Sequence, residues 1–206
     1  MIRILVKEGT DYVSIIKRSS PYSIMNENKI IHLSKIIHLS VGWNELPDLK
    51  YGFYINFLTS DSFLIENIDL RDYDTSNIVH MNLMFANISV SELNLRSFNT
   101  SNTIDMSCMF ANCDKIVELD LSSFDTRRVD EINYMLAGCR SLVRLDLSNF
   151  DASNFKSYVH IFYLSTNIKY IKCRKKFKDW CLEHQDEIDL PESMREGGNG
   201  IWEIID

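Results

Sequence analysis

The sequence predicts an α/β repeat fold, a short solenoid with a parallel β-sheet on one face and short helices on the other. A segment close to Leu-Asp-Leu-Ser-x-Phe-Asp-Thr-Ser-Asn occurs four times, with a fainter fifth copy, and the copies begin at Ile68, Leu93, Leu119, Leu145 and Ile171. The steps between them are 25, 26, 26 and 26 residues, so the chain contains a tandem array. Units of this size cannot bury an apolar face alone and must stack on one another.

Two periodicities follow one another within each unit. Residues 143–148 alternate apolar and polar side chains, which is typical of a half-buried strand. Further along the unit, apolar residues follow at steps of three, three, one and three, which favours a helix. In the first unit these residues are Ile78, Met81, Met84, Phe85 and Ile88. We therefore predict a strand, a turn and a short helix in every unit, with the strands forming a parallel ladder.

Stacking of the units predicts which side chains are buried. The strand leucines should face the core, and they are Leu93, Leu95, Leu119, Leu121, Leu145 and Leu147. An aromatic residue recurs in one slot of each unit, at Tyr73, Phe98, Phe124 and Phe150. A side chain that keeps its slot in every repeat is expected to pack on its neighbours, so we predict an aromatic spine.

The repeats are predicted to lie between two caps. We assign residues 1–60 to a β-rich amino-terminal cap, residues 61–172 to the repeats and residues 173–206 to a carboxy-terminal cap. In the first cap, strand-forming composition covers residues 2–7, 12–17 and 29–39, with a turn at 26–28. In the second cap, four residues at helical spacing predict an amphipathic helix, and they are Phe177, Trp180, Cys181 and His184. Pro191 should mark the downstream limit of that helix, and residues 201–205 should form a final strand.

Composition limits the classes of function. The 206-residue chain is long enough for a sizeable core, and its net charge of -7 disfavours an overall electrostatic grip on nucleic acid or anionic lipid. No apolar run reaches the length of a signal peptide or a membrane helix. We therefore expect a cytoplasmic protein without a membrane partner, and a surface location only if the chain is a fragment of a larger protein.

Cysteine usage agrees with a reducing compartment. The chain has five cysteines, an odd number, and they show no paired metal-type spacing. Cys113 and Cys139 occupy the same slot of consecutive units, where the first unit has Ile88. They are therefore expected to be small core residues. We predict that all five thiols are free.

The repeat motif resembles a known family. The run described above, followed by Met-Ser-x-Met-Phe-Ala-x-Cys, resembles the BspA-type leucine-rich repeat, the 26-residue repeat of bacterial surface proteins, over residues 64–172. The resemblance implies a leucine-rich-repeat solenoid in a bacterial protein. Because several members of that family resemble adhesins, it also implies binding of other proteins without catalysis.

The exposed face of the strands is the predicted binding surface. Alternation within the strands places a set of charged and polar residues there, namely Glu92, Asn94, Arg96, Glu118, Asp120, Arg144, Asp146, Tyr170 and Lys172. Arg96, Arg144 and Tyr170 are the residue types that favour hot spots. Asp120 beside Asp146 would be a like-charge pair, which destabilises a sheet. On the predicted helix side, three polar residues should matter little for binding, namely Asp105, Glu131 and Ser157.

No catalytic, metal or cofactor site is predicted. The five histidines are scattered, and no phosphate loop or nucleophile with an adjacent base is evident. A basic cluster covers residues 172–178, and we expect it to be the charged exterior of the cap, so direct nucleic-acid binding is disfavoured. The sequence thus predicts a non-catalytic protein-binding module with an unidentified protein partner. Two alternatives remain open: a phage- or plasmid-encoded inhibitor whose acidic face blocks a nucleic-acid-handling enzyme, and an adhesin-like surface fragment.

Overall fold

The structure is a computed structural model that describes residues 65–205 and the backbone of five strands before them. It has ten strands: β1 Ile2–Val6, β2 Val13–Lys17, β3 Lys35–Leu39, β4 Gly42–Leu46, β5 Phe53–Ile55, β6 Ile65–Asp69, β7 Glu118–Asp120, β8 Arg144–Asp146, β9 Tyr170–Arg174 and β10 Ile201–Ile205. Among the described residues, an α-helix, α1, spans Lys175–Glu183, and a 3-10 turn spans Glu192–Met194. Side chains are described from residue 67 onward.

A parallel sheet of four strands, in the order β10-β9-β8-β7, confirms the predicted parallel pairing for the carboxy-terminal half of the chain. Equivalent residues of consecutive units are paired, so Leu119 lies beside Leu145 and Leu145 beside Ile171. These three side chains are buried. In β7 and β8, the residue before the buried leucine is exposed and the residue after it is partly covered. The apolar-polar alternation read from the sequence therefore sets which face of this sheet meets the core.

The ladder does not extend to the second unit, where a strand was predicted. Within the described residues, no backbone hydrogen bond joins residues 92–96 to residues 118–121. The first unit's strand, β6, pairs antiparallel with β1 instead. Side chains link the second and third units here, because the Ser123 hydroxyl donates to the Leu95 carbonyl at 2.9 Å. Strands of three residues make few ladder bonds, so a small displacement is enough to lose them, and Leu93 is only half-buried as a result.

The predicted short helices are replaced by consecutive turns. All five apolar residues of the first stripe are buried as expected, yet no α-helix forms in residues 70–169. Every second N–H of the first unit donates to a carbonyl of the next unit, at 2.7–3.0 Å: Met81 to Asp105, Leu83 to Ser107, Phe85 to Met109 and Asn87 to Ala111. These N–H groups are therefore not available for the i to i−4 bonds of a helix. Two slots per unit also adopt positive φ, such as Leu83 at 62° and Asn87 at 59°, which a helix excludes.

Two further ladders hold consecutive units together. The predicted aromatic spine is confirmed from Tyr73 to Phe124, with the rings of Phe98 and Phe124 stacked at 5.9 Å between centroids and 2° between planes, while Phe150 contacts Phe177 of α1 at 5.6 Å. In each of the first three units, a buried threonine binds the backbone of the next unit through its hydroxyl. The Thr100 hydroxyl donates to the Asp125 carbonyl at 3.0 Å and accepts the Asp125 N–H at 2.8 Å. Thr75 and Thr126 make the same pair of bonds to Asn99 and Asp151.

The carboxy-terminal segment contains the predicted helix and final strand. Phe177 and Cys181 of α1 are buried, and β10 pairs parallel with β9 at the edge of the sheet. The helix ends at Glu183, well before Pro191, because the residues that follow it accept backbone hydrogen bonds from the turn segment of the fourth unit. There, the N–H groups of His160 and Phe162 donate to the carbonyls of residues 187 and 188.

The amino-terminal region is rich in strands, as predicted. β1, β2 and β3 lie inside the three segments of strand-forming composition. They form two antiparallel sheets, in the orders β4-β1-β6 and β3-β2-β5. β1 pairs with β6, the strand of the first unit, and so covers one edge of that strand. The predicted turn at residues 26–28 lies outside the described residues, and the boundaries of the three regions remain predictions.

All five cysteines have free thiols in the structure. Four of them are buried, and two donate to carbonyls of the preceding unit: Cys113 Sγ to Phe85 and Cys139 Sγ to Phe110, both at 3.1 Å. Burial raises the pKa of Cys139 and Cys173 to about 12. These thiols are therefore packing groups that remain protonated at neutral pH.

Candidate protein-binding surface

The strand face of β7–β10 carries two ordered columns of side chains. The first column places Glu118, Arg144, Tyr170 and Ile201 side by side on consecutive strands. The guanidinium carbon of Arg144 lies 3.9 Å from the centroid of the Tyr170 ring, and Arg144 Nε lies 3.6 Å from Glu118 Oε1. Ile201 is 61% exposed at the edge of the sheet. This column is therefore a cation stacked on an aromatic ring, with an exposed aliphatic side chain beside it.

The second column is a row of charged side chains linked by ion pairs. It places Asp120, Asp146, Lys172 and Glu203 side by side. Lys172 Nζ lies 3.7 Å from Asp146 Oδ2 and 3.6 Å from Glu203 Oε1. Asp120 Oδ2 lies 3.3 Å from Arg96 Nε. The like-charge contact expected between the two aspartates is thus offset by a cation on each outer side.

Hydrogen bonds also fix the carboxylates of this row. Asp120 Oδ1 accepts the Ser122 N–H at 3.0 Å and the Ser122 hydroxyl at 2.6 Å, and Asp146 accepts the same two groups from Ser148. Partial burial by itself raises the pKa of Asp120, but the bonds from Ser122 and the Arg96 charge outweigh it. The pKa of Asp120 therefore lies below its ordinary value, and the carboxylate stays charged at neutral pH.

The structure brings together most of the predicted site and separates its amino-terminal end. Six predicted residues lie on the paired strands, namely Glu118, Asp120, Arg144, Asp146, Tyr170 and Lys172. Glu92, Asn94 and Arg96 are exposed on the unpaired second unit. A shallow cavity of about 290 Å³ lies between that segment and β7, with Glu92, Leu93, Asn94, Leu95, Arg96, Glu118 and Asp120 as its lining. The surface thus consists of the paired strands β7–β10, with a shallow cavity beside β7.

Sequence reasoning missed two residues of this face, Ile201 and Glu203. The β-branched and aromatic composition of residues 201–205 was a usable signal for a strand. However, nothing in the repeat pattern indicates that β10 pairs with β9, because the 26 residues 175–200, which form a helix and turns, separate the two strands. The structure also adds a detail about Asp105, one of the polar residues assigned to the predicted helix side: its side chain is buried. Its Oδ1 accepts the Ser107 N–H at 2.8 Å, so it closes a turn.

The basic cluster at residues 172–178 is largely neutralised by nearby carboxylates. Lys175 Nζ lies 2.7 Å from Asp179 Oδ2, and Lys176 Nζ lies 3.8 Å from Asp151 Oδ1. These groups line a groove of about 550 Å³ between residues 150–153 and α1, whose floor includes Phe150, Phe177 and Trp180. The formal charges of this lining, three basic and three acidic, cancel. It therefore gives no electrostatic preference for a phosphate group.

No group of three or more His, Cys, Asp or Glu side chains converges as metal ligands among the described residues. In the same part of the chain, no helix has the length and apolar character needed to cross a membrane.

The comparisons with known proteins identify one family. Residues 54–174, more than half of the chain, match the family described as "Mycoplasma protein of unknown function, DUF285". The match covers the four complete units and β9. No curated protein and no solved structure gave a significant match.

Proposed function

The chain belongs to the DUF285 family of mycoplasma proteins, and we propose that it is a leucine-rich-repeat solenoid of the BspA type that serves as a non-catalytic protein-binding module. The repeat architecture is supported by bonds between equivalent residues of consecutive units. Three threonines bind the next unit in the same way, and the turn segments exchange backbone bonds at a constant register. Such stacking produces an extended surface more readily than a catalytic pocket.

The observation that carries the proposal is the column of Arg144, Tyr170 and Ile201 on the strand face. Tyr and Arg are the side chains that most often dominate binding energy, and here they contact each other on a paired sheet. Because the backbone is already fixed in the ladder, little conformational entropy is lost when a partner binds. The exposed Ile201 extends this column with apolar area at the edge of the sheet.

The ion-pair row of Asp120, Asp146, Lys172 and Glu203 would act as a polar border to this column. Charges at the border of an interface set the association rate and the choice of partner more than the affinity. A partner would match the row if it presented basic groups to Asp120, Asp146 and Glu203 and an acidic group to Lys172. The inhibitor alternative needs an acidic face with free carboxylates, and it gains little support because Arg96 and Lys172 already pair with the two aspartates. The adhesin-like alternative rests on the family resemblance alone.

The proposal is tested by capturing a partner from a lysate of the source organism and measuring its affinity for variants. Arg144→Glu and Tyr170→Ala are each expected to weaken binding about tenfold or more, as for hot-spot residues. Arg127→Glu is the matched control, because Arg127 is an exposed arginine in an ion pair with Asp125, 2.7 Å away. Circular dichroism should show that all three variants fold. If Arg127→Glu abolished binding while the other two had no effect, the strand face would not be the interface.

A further inference from the structure

A patch of exposed apolar side chains lies on the turn side of the third and fourth units, away from the strand face. Its members are Tyr134, Val159, His160, Tyr163 and Leu164, and we call it the turn-side patch. The four apolar or aromatic members other than His160 are 38–47% exposed. Of the seven large hydrophobic residues exposed in the described part of the chain, these four are neighbours in two adjacent units, and the remaining three, Val117, Ile201 and Ile204, lie elsewhere.

The repeat pattern does not require apolar residues at these positions. The slot of Val159 is filled by Asn82, Ser107 and Asn133 in the earlier units. The slot of Tyr163 is filled by Ala86, Ala111 and Ala137, and that of Leu164 by Asn87, Asn112 and Gly138. Leu164 also has a φ of 59°, a conformation that asparagine and glycine adopt more easily than leucine. The fourth unit therefore carries exposed apolar bulk where folding alone would accept small or polar residues.

Three rings of the patch form a continuous strip, and a carboxylate contacts the middle ring. The centroids of Tyr134 and His160 are 5.1 Å apart, and those of His160 and Tyr163 are 5.7 Å apart. His160 Nδ1 lies 2.6 Å from Asp189 Oδ2, which holds the imidazole between the two tyrosines. The exposed Glu187 is adjacent, because its carbonyl accepts the His160 N–H at 2.7 Å. Aromatic faces and carboxylates together favour a cationic group.

The size of the patch indicates what kind of occupant fits. Four side chains that are nearly half exposed offer on the order of 300 Å² of apolar surface, since a large aromatic residue buries roughly 150–250 Å² in full. A stable dimer buries about 800 Å² on each partner. We propose that the turn-side patch binds a short segment of a partner protein that carries apolar residues together with Lys or Arg. The apolar residues would lie on Val159, Tyr163 and Leu164, and the cation would lie against the tyrosine rings and Asp189.

The test uses a fluorescent peptide of alternating Leu and Lys, and its counterpart with Glu in place of Lys, titrated with the full chain. The decisive variant is the triple change Val159→Asn, Tyr163→Ala and Leu164→Asn, which restores residues found in the same slots of other units and leaves the charge unchanged. It is expected to weaken binding of the Lys peptide about tenfold or more. Val117→Asn is the matched control, because Val117 is an exposed apolar residue outside the patch, and it should leave this affinity unchanged.

Three outcomes would overturn the proposal. The first is an unchanged affinity of the Lys peptide for the triple variant, with folding verified by circular dichroism. The second is equal affinity of the Lys and Glu peptides for the unaltered chain, which would remove the role of Asp189. The third is a concentration-dependent dimer, seen by light scattering, that the triple variant loses, because the occupant would then be a second copy of the chain.

Discussion

Replacing Thr100 by Val tests whether side-chain hydrogen bonds hold consecutive units together. Val has nearly the same shape as Thr but lacks the hydroxyl. Thr100 is fully buried, and its hydroxyl both donates to the Asp125 carbonyl and accepts the Asp125 N–H. The substitution therefore leaves a donor and an acceptor of the same residue without partners, while the packing volume hardly changes. Thr100→Ser is the matched control, because it keeps the hydroxyl and removes one methyl group.

The magnitudes follow from these contacts. A buried donor or acceptor that loses its partner costs about 1–3 kcal/mol. The Asp125 N–H and carbonyl are only partly buried, so together they should cost about 2–4 kcal/mol. Removing one buried methyl group costs about 1 kcal/mol. Thr100→Val should therefore lower the free energy of unfolding by about 1–3 kcal/mol more than Thr100→Ser does.

The assay is urea unfolding followed by circular dichroism, with the slope of the transition compared among the variants. A common slope allows the midpoints to be converted into free energies, whereas a shallower slope for Thr100→Val would show that the units unfold separately. If Thr100→Val proved as stable as Thr100→Ser, or more stable, the hydroxyl bonds would not be what joins the units.

Three further predictions concern the core and its ionisable groups. Leu121→Ala should lower the free energy of unfolding by about 2–5 kcal/mol in the same assay, because Leu121 is fully buried, and a loss below about 1 kcal/mol would contradict the packing described. Glu131→Gln should stabilise the protein at neutral pH and have no effect below about pH 4, because burial and the charges of Asp105 and Asp130 raise the pKa of Glu131 in the folded state. A raised carboxyl pKa means that folding disfavours the charged form of Glu131, and this form is populated only above that pKa, so removing the charge stabilises the protein at pH 7. A Glu131→Gln variant that is less stable than the unaltered protein at pH 7 would contradict this prediction. Thiol titration without reductant should find five thiols after denaturation and at most one reactive thiol, Cys108, before it, while a total of three or one would indicate a disulfide.

The strands and the core were predictable because the repeat reveals both. Alternation identifies Leu119 and Leu145 as inward residues, and the constant step of 26 residues places them side by side on neighbouring strands. The aromatic spine follows from the same argument, since Phe98 and Phe124 keep one slot. These features depend on local periodicity and stacking, and both can be read from a single sequence.

The turn side was not predictable from apolar spacing alone. Steps of three, three, one and three bury one face of a helix, and they also bury one side of a series of turns whose N–H groups bond to the next unit. The positive φ of Leu83 and Cys108 distinguishes the series of turns from a helix. However, leucine and cysteine do not favour positive φ, so the sequence gives no indication of it. The position of Ile201 on the strand face was hidden for a different reason, because it depends on how the chain returns to pair with β9.

Departures from the repeat are the most informative guide to binding in this chain. A residue that keeps its slot is explained by folding, whereas Val159, Tyr163 and Leu164 replace small or polar residues and remain exposed. On the strand face, Tyr170 and Ile201 likewise place apolar area where the third unit has Glu118. Both sets lie in the last units and the segment that follows them. A partner that used both surfaces would therefore bind the carboxy-terminal end of the array, and the earlier units would serve mainly to hold that end rigid.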